Sequence, residues 1–227
     1  ANVAIGRHAL VSSTTADNNA AVGYFALASN TTGTKNVAVG ALALDAGTTA
    51  SENTAVGYSA AGSITSGARN VALGQSALAA GTTAYHNVAI GYASLDAVTD
   101  ATRNVAVGYQ SLKSSTASYN TAMGWNSMVT NTTGQYNVAM GTEALSSGTT
   151  AANSVAVGYR SLRYITSGNS NVAIGHEALD ANTTASNNTA VGASALGANT
   201  TGVSNVAVGT SALDANTTAS GNVAIGK

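Results

Sequence analysis

Apolar and polar positions recur along this chain with a period of seventeen residues. Each unit starts at an asparagine and reads N-V-A-V-G-x-x-A-L-x-x-x-T-T-A-x-x, with mostly Val or Thr at position two, Ala at three, and Val, Ile, Leu or Met at four. The anchors are Asn2, Asn19, Asn36, Asn53, Asn70, Asn87, Asn104, Asn120, Asn137, Ser154, Asn171, Asn188, Asn205 and Asn222. Twelve of the thirteen intervals are 17 residues, and the one from Asn104 to Asn120 is 16. A period held so strictly marks a repeat architecture, which has to be settled before any motif is sought. Alternation with β-branched residues over positions two to four predicts a short strand. Position five is Gly in all fourteen copies, from Gly6 to Gly226, as expected where the backbone takes φ > 0 or leaves no room for a Cβ. The x-A-L-x segment that follows predicts a second short extended stretch, and T-T-A/G leads back to the next anchor. A helix fails on length, because seven residues separate position five from the threonine pair and a globular helix needs about 10–12.

Two short strands and two turns per unit predict an all-β fold, a parallel β-solenoid or β-roll of fourteen coils forming one domain over residues 1–227. Coils stacked about 4.8 Å apart would give a rod of roughly 65 Å. Position nine is Leu in eleven of thirteen copies, with Ala61 and Met128 as the exceptions. Together with positions two and four it is expected to fill the core. The anchor asparagines are expected to hydrogen-bond to their copies in neighbouring coils as stacked amides.

Position three is Ala in every copy, and strand alternation would turn it away from a core built on positions two and four. An exposed column should vary, so a small residue repeated fourteen times implies close approach by something. Crowding within one chain is one explanation. The reading favoured by the sequence is a close homo-oligomeric interface running through Ala38, Ala55, Ala72, Ala89, Ala106, Ala122, Ala139 and Ala156. Position eight, only Ala or Ser, makes the same demand.

Composition narrows the class. Charged residues are 7% of the chain, aromatics 5%, and the formal net charge is −1. Eight scattered Lys and Arg give no basic face for nucleic acid. Apolar runs fall far short of the roughly 18–20 residues that span a bilayer, so no membrane insertion is expected within this segment. Cysteine is absent, which removes disulfides, thiolate chemistry and Cys-based metal sites. Proline is absent as well, sparing the backbone ladders. The chain opens on Ala1 and both ends stop within a repeat, so it is expected to be a segment of a longer fibre.

The N-V-A-I-G and N-T-A-V-G units resemble the repeats of YadA-like head domains in trimeric autotransporter adhesins. The longer unit, with its A-L and N-T-T-G segments, is similar to repeats of bacteriophage tail fibres and related bacterial surface fibres. The resemblance covers essentially the whole chain. It implies a side-by-side homotrimer of parallel β-rolls and an extracellular setting, on a cell-surface or virion fibre. The period of 17 residues departs from the shorter head repeat.

Candidate chemistry is sparse. His8, His86 and His176 fall at different positions of distant repeats, which leaves no composite catalytic site within one chain. Asp45, Asp96, Asp180 and Asp214 share position ten but lack the glycine-rich calcium nonapeptide. No enzyme activity, metal or other cofactor is expected. Position six carries Tyr24, Tyr58, Tyr92, Tyr109, Trp125 and Tyr159. Tyr92, Tyr109 and Trp125 occupy consecutive repeats and are the candidate stacking ladder for a cell-surface glycan or host receptor. Rings covering the glycine turn or a seam between chains would give the same column. The threonine column raises ice binding, weakened by the expectation that adjacent threonines point to opposite faces. It is also interrupted at Ser66, Asp100, Ser167 and the short repeat. Asn30, Asn131, Asn182, Asn187, Asn199 and Asn216 head N-x-S/T triplets, hypothetical glycosylation sites. The expected function is a structural fibre shaft or adhesin-type head.

Overall fold

The computed structural model describes all 227 residues, Ala1–Lys227. It is a parallel β-solenoid of about fourteen turns with no helix. Each repeat supplies one three-residue strand at positions two to four. The chain divides into two compact units, Ala1–Ser118 and Tyr119–Lys227. The first holds β1 (Val3–Ile5) through β7 (Val105–Val107), and the second β8 (Thr121–Met123) through β14 (Val223–Ile225). Within each unit, successive strands pair in parallel at an offset of one repeat, for example Val37↔Thr54, Ala38↔Ala55 and Val39↔Val56. Repetition predicts a single domain, whereas the compact units are two. Coils of a solenoid contact only their neighbours, and the division falls at the end of the one 16-residue repeat.

The second extended stretch predicted at x-A-L-x is not a strand. Positions six to eleven form a run of turns in which positions seven and nine take left-handed backbone, as at Phe25 (φ 55°) and Leu27 (φ 51°). The reason lies in the side chains. Ala26 and Leu27 are adjacent and both fully buried, whereas neighbours on a strand point to opposite faces. Left-handed residues on either side of position eight turn both side chains inward. Inter-coil bonds persist here: the Leu27 N–H donates to the Ala43 carbonyl at 3.0 Å and the Phe25 N–H to the Arg7 carbonyl at 3.0 Å.

The core contains the leucine column, as predicted, but its opposite wall is the alanine column. Ala38, Ala55, Ala72, Ala89, Ala106, Ala122, Ala139 and Ala156 are all completely buried within their own chain. They are therefore not an interface for a second molecule, and the assignment of positions two and four to the core is inverted. Val37 and Val39 are 38% and 37% exposed, and Met140 and Ile174 each 40%. The coil is too narrow for large side chains on both walls. Ser127, at position eight, donates its hydroxyl to the Ala139 carbonyl at 3.0 Å, so one hydroxymethyl group spans the gap to the strand. The invariance of positions three and eight is crowding inside one chain.

Two further columns lock the stack. Gly at position five combines φ between 123° and 139° with contact against the next coil. A Cβ on Gly158 would lie 2.4 Å from the Gly175 carbonyl oxygen. The anchor asparagines form a buried ladder. Asn53 Nδ2 donates to Asn36 Oδ1 at 3.2 Å and to the Gly67 carbonyl at 2.9 Å, while the Asn53 N–H donates to the same Oδ1 at 3.0 Å. Ser154 keeps part of this pattern. Its N–H donates to Asn137 Oδ1 at 3.0 Å, and its Oγ accepts the Asn171 N–H at 3.2 Å.

Candidate functional site

No enclosed cavity opens in either unit, so candidate chemistry lies on the outer faces. The aromatic column of position six is exposed. Tyr92 and Tyr109 are 44% exposed and stack at 5.2 Å between centroids, with 14° between ring planes. Trp125, in the second unit, is likewise exposed. Stacking along the coil axis turns the faces of Tyr92 and Tyr109 toward one another. A sugar approaching from the side meets ring edges and hydroxyls, whereas a stacking platform offers faces.

A second ladder went unrecognised in the sequence. Tyr119 and Tyr136, each one residue before an anchor, stack at 5.1 Å and 16°. Their equal offset from successive anchors is the signal that would have found them.

The main concentration of charge lies on the second unit. Glu143, Arg160 and Glu177 occupy position seven of three successive coils. Arg160 Nε donates to Glu143 Oε2 at 2.8 Å, and Arg163 Nε lies 3.4 Å from the same oxygen. The two guanidiniums sit 4.7 Å from the Tyr159 and Tyr164 ring centroids, and Tyr159 stacks on His176 at 5.3 Å. The cations are thus engaged by carboxylates and rings of their own chain. Such partly exposed pairs contribute about 0–1 kcal/mol each. His8 packs against Phe25 at 4.8 Å and His86 lies 6.3 Å from Tyr85, so the three histidines do not converge.

Of the position-ten aspartates, Asp45, Asp96 and Asp180 are half-buried, and desolvation raises the pKa of all three. At Asp180 the nearby Glu177 adds to the rise, and Oδ1 is buried without a hydrogen-bond partner. A carboxyl with a folded pKa above its unfolded one contributes stability below the unfolded value, and that contribution is lost as pH rises through the folded value. Glu52 is the opposite case, held low by its hydrogen bond from Arg69, but it is solvent-screened. Asp180→Asn is therefore expected to raise Tm at pH 7 and to shrink the gain in Tm on acidification toward pH 5. A lower Tm at pH 7 would show that Asp180 is stabilising as a carboxylate.

Both threonines are exposed in pairs such as Thr48–Thr49 and Thr149–Thr150, whereas Thr31, Thr183 and Thr200 are half-buried beside an exposed neighbour. They do not point to opposite faces, because the chain bends at this corner instead of running as a strand. Among the N-x-S/T asparagines, Asn30, Asn131, Asn182 and Asn199 are fully buried, Asn216 is half-buried, and Asn187 is exposed. Asn30 instead braces the threonine corner: its Oδ1 accepts the Gly33 N–H at 2.9 Å and its Nδ2 donates to the Gly33 carbonyl at 3.1 Å.

No protein-family model matches the chain, and comparison with curated proteins finds no significant relative.

Proposed function

We propose that this chain is a non-enzymatic structural segment of an extracellular fibre, a shaft or head on a cell surface or virion, assembled as a side-by-side homotrimer. The observation that carries the proposal is the outer face of the strand sheet. Positions two and four form parallel columns of mostly Val, Ile, Met and Thr along each unit, with Ala20 and Leu73 as the other members, and Val37, Val39, Val56, Met123, Met140, Ile174 and Val208 are each more than a third exposed. Contiguous apolar faces of this kind mark interaction sites on soluble proteins. A second copy of the same face is the matching partner, since it has the same period and the same uncharged character. The resemblance of the repeats to YadA-like heads and phage fibres supports three copies around one axis. Tyrosine ladders flanking this face fit a role at the seam between chains better than a sugar platform, because their ring faces are already turned on each other.

Val39→Glu with Val56→Glu places charge on that face without touching the buried alanines. The expected result is loss of the oligomer by light scattering, with the β-rich circular dichroism of the parent retained. An unchanged trimer mass would reject the face as the contact. An unchanged monomer mass for the parent protein would reject the assembly altogether.

A further inference from the structure

We infer that the threonine corner of the second unit is an ice-binding face, with the ordered water of an ice crystal surface as its ligand. This inference is independent of the fibre assembly, since the corner lies on a different part of each coil from the apolar sheet face.

Three observations carry it. First, the two threonines sit side by side between buried residues at positions twelve and fifteen in the coils from Thr132–Thr133 to Thr200–Thr201, with the second of each pair exposed and the first exposed or, at Thr183 and Thr200, half-buried. One departure, Ser167, keeps the hydroxyl. The column of the first unit is broken by Asp100, whereas that of the second carries no charge. Charge would bind disordered hydration water and roughen the match to a lattice.

Second, the first hydroxyl of each pair is fixed. Thr132, Thr149, Thr166, Thr183 and Thr200 donate Oγ1–H to the backbone carbonyl of the equivalent threonine in the next coil, at 2.9, 3.2, 3.0, 3.4 and 3.0 Å. A β-branched side chain is already stiff at χ1, and this bond selects one rotamer in every coil. The methyl groups therefore point the same way, and each oxygen keeps acceptor capacity for water.

Third, the spacing is set by the backbone. In all of these coils except that of Thr183–Thr184, both N–H groups of a pair donate to one carbonyl of the next coil: Thr132 and Thr133 reach the Thr149 oxygen at 2.9 and 3.1 Å. The rank of threonines repeats at the inter-strand distance of about 4.7–4.9 Å. A rigid, uncharged, periodic array of methyls and hydroxyls orders adjacent water without losing side-chain freedom on binding, which is the advantage of pre-organisation.

The test is ice-recrystallisation inhibition by the full chain and by two double variants at position fourteen, whose side chains lie outside the hydroxyl ladder. Thr150→Lys with Thr184→Lys is expected to abolish inhibition while leaving the thermal melt unchanged. Thr150→Ser with Thr184→Ser, a residue already present at Ser167, removes only methyl groups and is expected to weaken inhibition without any risk to folding. The Val39→Glu, Val56→Glu variant is expected to retain it. Ice growth in the presence of the parent chain that matches buffer alone would overturn the inference. Inhibition equal to the parent in both threonine variants would do the same.

Discussion

Alanine at Gly158 is expected to destabilise the second unit by about 2–6 kcal/mol. Two costs add. Gly158 has φ of 132°, a region occupied almost only by glycine and worth about 1–3 kcal/mol of strain for another residue. The new Cβ would also lie 2.4 Å from the Gly175 carbonyl oxygen and 2.7 Å from its carbon, and overpacking of that kind costs about 1–3 kcal/mol or more. The obstacle is backbone, which cannot swing aside as a side chain would. Urea unfolding of Gly158→Ala checks this, and a loss below about 1 kcal/mol would mean that the neighbouring coil shifts to admit the methyl group.

The second large effect is expected at the asparagine ladder. Asn70 Nδ2 donates to Asn53 Oδ1 at 3.0 Å and to the Ala84 carbonyl at 2.7 Å, and its Oδ1 accepts the Asn87 N–H at 3.0 Å. Asn70→Ala removes these and leaves the Asn87 N–H and the Ala84 carbonyl buried without those partners. Each orphaned group costs about 1–3 kcal/mol, so a total of about 2–6 kcal/mol is expected from chemical denaturation. Asn70→Ser should cost less, because Ser154 shows how a hydroxyl can accept the N–H from the next coil. A cost below about 1 kcal/mol for Asn70→Ala would mean that water replaces the amide.

The period, the solenoid class, the glycine column and the asparagine ladder were all legible in the sequence, because each is a residue type repeated for a local reason. Which way the strand faced was not. Three residues are too few for alternation to say which side is inside, and hydrophobic size favoured Val37 and Val39 over Ala38. The deciding quantity is the width of the coil, seen in the Ser127 hydroxyl reaching Ala139, and no pattern of residue types states a width. The turn run was hidden for a related reason. Left-handed backbone is usually signalled by Gly or Asn, but here it falls on Leu44, Arg160 and Leu162, with φ of 50°, 55° and 50°. Of the functional surfaces, the aromatic column was visible from spacing. The orientation of the threonine corner was not, because adjacent side chains alternate faces only on extended backbone, and the chain bends here.

Those left-handed residues have a consequence for how the molecule forms. Positions seven, nine and seventeen take φ near 50–65° through most of the chain, and for residues other than glycine this costs roughly 1–2 kcal/mol each. An isolated coil would carry several kcal/mol of conformational debt and almost no inter-coil bonds against it. A coil laid on a finished neighbour gains its whole set of ladder bonds at once. Folding should therefore resemble crystal growth more than collapse: a slow, unfavourable seed, then a front that advances one turn at a time, each turn serving as the mould for the next.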